Sequence, residues 1–317
     1  MSGREMLDRV QTRAVNIGGT EHVIECCEAE GVAALVYTSS YNVVFGGQAI
    51  DLGDESMDYF PVEVHADEYS RTKALAEQLV LKASSDTASG GGGSSGLRTV
   101  AMRSAAIYGE GEQRHFPRII ETMRAGMYLF TIGDASNKCD WVHADNLVHA
   151  HLLGAAALLA APRNAAVPAV AGRGFFISDG EPINNFDFLA PICGIVGIPL
   201  PPLRLPTGLA FAIAHGLELG YILLTWLTFG CVAVPPPMLS RAEVLKVGVS
   251  HTFSISAARD AIGYHPVVTA EDGQKRLMAD LTERFPFETL WWQRWHVFWL
   301  VVLALALAVA AWVLQMG

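Results

Sequence analysis

A six-residue stretch at 33–38, AALVYT, is apolar at odd and even positions alike and runs directly into the hydroxyls of Ser39 and Ser40. A strand with two apolar faces needs cover on both sides, which parallel sheets with flanking helices provide. Helical patterns lie on either side of it. One covers 16–30, opened by Asn16 and Thr20 and closed by Gly31; another covers about 67–83, with Leu75, Leu79 and Val80 at helical spacing. Beyond a low-complexity loop at 84–96 (SSDTASGGGGSSG), strand patterns return at 97–103 and 175–178, with a helix at 117–125 between them. Residues 46–58 are polar and turn-rich. Short apolar strands alternating with longer helices predict an α/β, doubly wound parallel sheet.

Charge and cysteine content narrow the function. The net charge of −10 comes with no Lys/Arg cluster, so nucleic acid is not an expected partner. Cys26, Cys27, Cys139, Cys193 and Cys231 are odd in number and lack C-x-x-C spacing, which disfavours a disulfide framework or a zinc site and reads as reduced, mostly core thiols. Residues 1–13 are charged and carry no secretory h-region.

Residues 297–314 (VFWLVVLALALAVAAWVL) form an uninterrupted apolar run behind Trp291, Trp292 and Trp295. At about 1.5 Å per residue this helix reaches roughly 27 Å, close to the hydrocarbon thickness, and the tryptophans suit an interfacial belt. The expectation is a C-terminal membrane anchor with the bulk of the protein cytosolic; a buried core helix is the alternative. The Pro-bounded apolar region 200–239 is broken by His215, Glu218 and several glycines, and reads as a hydrophobic substrate lid or interfacial segment rather than a second span.

The strongest chemical signal is Tyr69-Ser70-Arg71-Thr72-Lys73. Tyrosine and lysine at i and i+4 share a helix face, so the ammonium is expected beside the phenol, lowering its pKa for proton transfer near neutrality. Ser39 and Ser40 stand at the carboxyl end of the first strand, where α/β folds bind ligands. A serine there can hold a substrate oxygen; local turn bonding is the bland alternative.

These residues, with Val15-Asn16-Ile17-Gly18-Gly19-Thr20 before them and Met102-Arg103-Ser104-Ala105-Ala106-Ile107-Tyr108-Gly109 after them, resemble the extended short-chain dehydrogenases. Trp141-Val142-His143-Ala144-Asp145-Asn146 and Phe176-Ile177-Ser178-Asp179-Gly180 extend the resemblance, which is greatest to the 3β-hydroxysteroid dehydrogenase/isomerase branch and runs from about residue 14 to residue 282. It implies a catalytic tetrad of Asn16, Ser40, Tyr69 and Lys73. It also implies NAD or NADP as cofactor, contacted by Tyr69, Lys73, Arg103 and Ser104, and a steroid-like secondary alcohol or ketone as substrate. In that scheme Tyr69 exchanges the proton, Lys73 holds the nicotinamide ribose, Ser40 orients the substrate oxygen and Asn16 places a relay water. A small lipophilic substrate and membrane lipid are the implied partners, a homodimer is left open, and the endoplasmic reticulum is the expected membrane.

Two departures qualify the resemblance. Ser104 stands where the family has proline, which leaves a freely rotating φ at that strand end. No glycine-rich dinucleotide turn links a strand to a helix here; the family layout puts four further strands ahead of Met1. The sheet is therefore expected to be an incomplete Rossmann-type one, fragile along the edge of the 33–38 strand, with weak or no NAD(P) binding by these residues alone. The expected organisation is a partial Rossmann-type catalytic region at 1–180, a substrate or lid region at 181–290 with its hydrophobic segment at 208–237, and the membrane helix. The competing reading is a catalytically inactive, membrane-anchored protein.

Overall fold

The chain enters as one helix in three registers: α1 (Arg9–Arg13), a π-helical turn (Ala14–Gly18) and α2 (Gly19–Ala29). Its start lies ahead of Asn16, which sits inside the π turn and caps nothing. Gly31 then leaves the helix at φ 62, a conformation that favours glycine. The computed structural model describes residues 9–88, 96–160, 169–228, 237 and 239–287. The anchor expected at 297–314, Cys231 and most of the glycine-rich loop lie outside the described residues.

β1 (Ala34–Ser40) follows, longer than the sequence pattern and including both serines. The stretch that reads as turn contains β2 (Ile50–Gly53), and α3 (Glu68–Ala88) carries the Tyr-Lys motif. Then come β3 (Arg98–Ser104), β4 (Ala106–Tyr108), α4 (His115–Arg124), β5 (Thr131–Ile132), β6 (Trp141–His143) and α5 (Ala144–Leu159). The described chain continues with β7 (Arg173–Ile177), α6 (Asn185–Val196), β8 (Arg204–Leu205), α7 (Thr207–Leu227), α8 (Arg241–Gly248), β9 (His251–Phe253), α9 (Ser256–Ile262) and α10 (Ala270–Arg284).

The central sheet has the order β1-β3-β7, all parallel, in a register that aligns Ser40 with Ser104 and Ser104 with Ile177. Every carboxyl end therefore points to one edge, and the two-stranded pairs β2-β9, β4-β6 and β5-β8 are parallel as well. Side chains alternate across β1. Lys73 of α3 reaches Tyr37 on one face, and His151 of α5 reaches Thr38 on the other at 2.7 Å. α5 lies close on β3 because Gly154 has no side chain: a Cβ there would come within 2.2 Å of Met102. One core gathers Val100, Met102, Val142, Leu147, Phe175 and Ile177 under α5, and another gathers Phe116, Ile120, Phe188, Ile192 and Leu277 among α4, α6 and α10.

A further difference from the sequence reading concerns α7. α7 runs unbroken through His215, Glu218 and its glycines. Glu218 is buried and paired with Arg241, with Nε and Oε2 2.6 Å apart, so the charge is neutralised by a neighbour and does not end the helix. The Trp141-to-Asn146 and Phe176-to-Gly180 segments meet at Asp179. Its buried carboxylate accepts the His143 N–H at 2.9 Å, Asn146 Nδ2 at 2.7 Å and the Tyr108 hydroxyl at 2.8 Å. Those motif residues thus tie β4, β6, α5 and β7 into one unit.

Candidate active site at the carboxyl edge of the parallel sheet

α3 begins at a capped end. The Asp67 carboxylate accepts the Ser70 N–H at 2.7 Å and its hydroxyl at 3.0 Å, as an N-cap does. This fixes the first turn, and Tyr69 and Lys73 follow one turn apart along the helix that lies against β1.

Lys73 Nζ donates to the Tyr37 hydroxyl at 2.8 Å and to the Thr38 carbonyl, and it sits 4.1 Å from the Tyr37 ring centroid. Burial lowers its pKa to about 8, against the pull of Glu77. Tyr37 is the partner that sequence reasoning missed. Its position three residues before Ser40 on a strand gave no signal, because a strand tyrosine reads as core. The Tyr69 carbonyl accepts from Thr72 Oγ1 at 3.1 Å, but its phenol makes no hydrogen bond among the described residues. Its phenol is pushed up to about 12, first by burial and then by Asp67, with Arg114 acting the other way. The lowered phenol expected from the i, i+4 spacing is therefore not found: the ammonium points to β1, and burial dominates.

Ser40 is buried at the end of β1, and its Oγ accepts from Asn42 Nδ2 at 2.9 Å. Asn42 Oδ1 and Ser39 Oγ are buried without a partner. Asn16 Nδ2 donates to Thr72 Oγ1 at 2.9 Å, which fastens the π turn to α3 between Tyr69 and Lys73. Arg103 is committed elsewhere, its Nε and Nη2 donating to Glu77 Oε1 at 3.0 and 2.8 Å. The Ser104 hydroxyl donates to the Ser39 carbonyl at 3.0 Å. β1 and α3 thus bring Ser40, Tyr69 and Lys73 to one end of the sheet with Asn16 behind α3, but no hydrogen bond joins any two of these four among the described residues.

Chemically, the edge offers a half-buried phenol that holds its proton at neutral pH, an ammonium easily discharged, and two buried serine hydroxyls at the carboxyl end of β1. No group of acids, histidines and cysteines placed to hold a metal ion occurs among the described residues.

A family model described as the 3-beta hydroxysteroid dehydrogenase/isomerase family matches residues 2–207. Similar curated proteins include short-chain dehydrogenase/reductase family 42E member 1 of Danio rerio, 46% identical over 266 residues, or 84% of this chain and 66% of that protein. The Homo sapiens protein of the same name is 44% identical over 264 residues, 83% of this chain and 64% of that protein. A 3beta-hydroxysteroid-dehydrogenase/decarboxylase of Arabidopsis thaliana is 38% identical over 264 residues, 83% of this chain and 56% of that protein. The chain spans about two thirds of the length of the first of these relatives. Among solved structures, RMD of Pseudomonas aeruginosa complexed with NADPH aligns at TM-score 0.57 and 17% identity, covering 90% of this chain and 78% of that one. A dTDP-glucose 4,6-dehydratase of Streptomyces venezuelae with NAD bound aligns at 0.58 and 18%, covering 89% and 70%. At that identity the structures establish the fold alone: Rossmann-like, α/β, with parallel sheets.

Proposed function

The chain belongs to the 3-beta hydroxysteroid dehydrogenase/isomerase family, and from that premise we propose that it is an oxidoreductase interconverting a secondary alcohol and a ketone on a lipophilic, steroid-like substrate with NAD or NADP. The observation that supports this reading is that Lys73 of α3, one turn from Tyr69, bonds Tyr37 and Thr38 of β1, just ahead of Ser40 at the carboxyl end of that strand.

The residues present fit the nicotinamide-ribose end of a dinucleotide. Lys73 has three ammonium donors and spends two of them on Tyr37 and Thr38, so one is left for a ribose hydroxyl. The Ser39 hydroxyl, buried without a partner, is a further donor at the same edge. Arg103 spends Nε and Nη2 on Glu77, while its Nη1 is buried without a hydrogen-bond partner. When bound, the nicotinamide supplies the hydride acceptor in oxidation and the hydride donor in reduction.

The chain's own residues handle the proton. In reduction the Tyr69 phenol gives its proton to the oxygen that becomes the alcohol, and with a phenol held up to about 12 the donor form is fully present at neutral pH. In oxidation the same oxygen returns its proton to the phenolate, so that direction gains as pH rises toward the phenol's pKa. Ser40 orients the substrate oxygen by hydrogen bonding. Lys73 stabilises negative charge near the site while it is protonated, a role it loses above about 8 in the free enzyme. α7 is long and apolar enough to cross a membrane, with mean hydropathy 1.5, and most of it is exposed. This supports association with a membrane from which a lipophilic substrate can be drawn.

Full-length protein assayed with a 3β-hydroxysteroid and NAD+ or NADP+ tests the reading. Tyr69→Phe is expected to lower turnover by on the order of a hundredfold or more while cofactor affinity holds, because only the transferable proton is lost. Lys73→Met is expected to damage both. Oxidation kcat/KM should climb with pH up to about 8 in the parent enzyme and level off above it, where each gain in phenolate is matched by a loss of the Lys73 ammonium. Full turnover in Tyr69→Phe would remove the assignment; absence of both turnover and dinucleotide binding in the parent protein would favour a non-catalytic, membrane-anchored one.

A further inference from the structure

α8 is tied down at both ends. At its start, the Arg241 N–H donates to Glu218 Oε1 at 2.8 Å and its Nε to Oε2 at 2.6 Å, which fastens it to α7. In its last turn, Lys246 Nζ lies 3.3 Å from Asp67 Oδ2. That carboxylate is the one capping α3, and both side chains of the pair are largely buried, at 21% and 8% exposed. The same ammonium lies 5.9 Å from the centroid of the Tyr69 ring. A lysine 179 positions away along the chain therefore neutralises the carboxylate that fixes the first turn of α3, two residues before Tyr69. His65, Asp67, Ser70 and Lys246 share a small cleft at this junction, and His65 Nε2 is buried there without a partner.

A packing role alone would place an apolar residue here. Asp67 is the largest charge acting on the Tyr69 phenol and disfavours its phenolate, so the ammonium that pairs with Asp67 alters the field at Tyr69 as well as its position. We propose that Lys246 is a positioning residue for Tyr69, pairing with Asp67 at the start of α3 to set both the place and the electrostatic surroundings of the phenol without touching substrate. This rests on the reading of Tyr69 as the proton-transferring group. The groups that face Tyr69 are Asp67, Lys246 and Arg114, with the phenols of Tyr37 and Tyr41 on the strand side; His65 faces the Asp67–Lys246 pair, and Arg71, paired with Glu68, acts on His65.

The sign follows directly. Removing the ammonium leaves Asp67 uncompensated, and an uncompensated carboxylate makes the phenolate harder to form. Full-length protein labelled with 3-fluorotyrosine reports this by fluorine NMR, with the Tyr69 resonance assigned by its loss in Tyr69→Phe. Lys246→Met is expected to move the Tyr69 titration to higher pH. Adding Asp67→Asn to that variant should bring it back, and Lys246→Arg should leave it at the parent value. With a 3β-hydroxysteroid and NAD+, Lys246→Met should lower kcat by on the order of tenfold with KM for NAD+ within about twofold, again rescued by Lys246→Arg. An unmoved titration in Lys246→Met, or equal loss in the arginine and methionine variants, overturns the proposal. The titration needs no substrate, so it decides the role of Lys246 even if Tyr69→Phe keeps its turnover and the catalytic reading fails.

Discussion

Glu77 has no exposed surface, and three donors converge on one of its oxygens: the Tyr59 hydroxyl at 2.7 Å and two nitrogens of Arg103. Arg103 is itself 5% exposed and lies over the rings of Tyr59 and Phe176 at 5.4 and 5.2 Å. This pair clamps α3 to β3 and so holds the helix that carries Tyr69 and Lys73. Removing one partner strands a buried charge, so Arg103→Met is expected to cost about 3–5 kcal/mol. Arg103→Met with Glu77→Leu should recover most of that, because neither charge is then left in the core. Urea unfolding of the two variants measures the difference; equal losses would show that packing, not charge, fixes α3. The sequence made the Tyr69–Lys73 spacing legible because it follows from helix geometry. It could not show that Lys73 turns to Tyr37 and Arg103 to Glu77, since partners 36 and 26 positions apart leave no periodicity.

At the scale of elements, β1, β3 and β7 were legible to within about two residues because each has a short apolar stretch, ALVY, VAM and FFI, near turn or loop residues. The pairs β4-β6 and β5-β8 are two or three residues long and were not, as such runs fall below any pattern. α7 was legible as apolar and was wrongly read as interrupted. A Cβ at Gly208, Gly216 or Gly220 would meet nothing within 4 Å, so these glycines cost only helix propensity, on the order of 1 kcal/mol each, which a 21-residue helix absorbs. One stripe of α7, Ala210, Ala214 and Glu218, is buried, while Leu219, Leu223 and Trp226 stand exposed on the far side at 53, 54 and 69%. Soluble surfaces rarely present apolar residues so densely, and lipid is the cover proposed for them. With residues 297–314 removed, the protein is expected to stay with membranes through a high-salt wash. Leu219→Asn, Leu223→Asn and Trp226→Asn together should release it to the supernatant. Release of the parent protein by the salt wash would assign that face to something other than lipid.

Across the whole molecule, the sheet ends on one side at β1, which pairs with β3 and with no second strand among the described residues. A free parallel edge presents unpaired N–H and C=O groups. The helices beside it add apolar surface. α2 and the π turn, packed along α3, expose Val15 and Val23, and α5 on the opposite face exposes Val148 and Leu152 at 57 and 65%. Edge and flanks together make a surface that another polypeptide can cover. Against self-association stands a net charge of −10, whose repulsion is long-ranged only while salt is low. At about 0.5 M salt the Debye length falls to a few ångströms, and short-range apolar contact should then dominate. Residues 1–287 are accordingly expected to scatter light as near-monomers in dilute buffer and as larger species in high salt. Val15→Lys with Leu152→Lys should suppress that growth by charging both flanks of the edge, in the way natural edge strands are protected. The exposed face of α7 is a second source of association, and the Asn substitutions there serve as the control. If those abolish the growth and the lysines do not, the β1 edge is not the adhesive surface; if the lysines alone abolish it, this edge is where the fold most needs a covering partner.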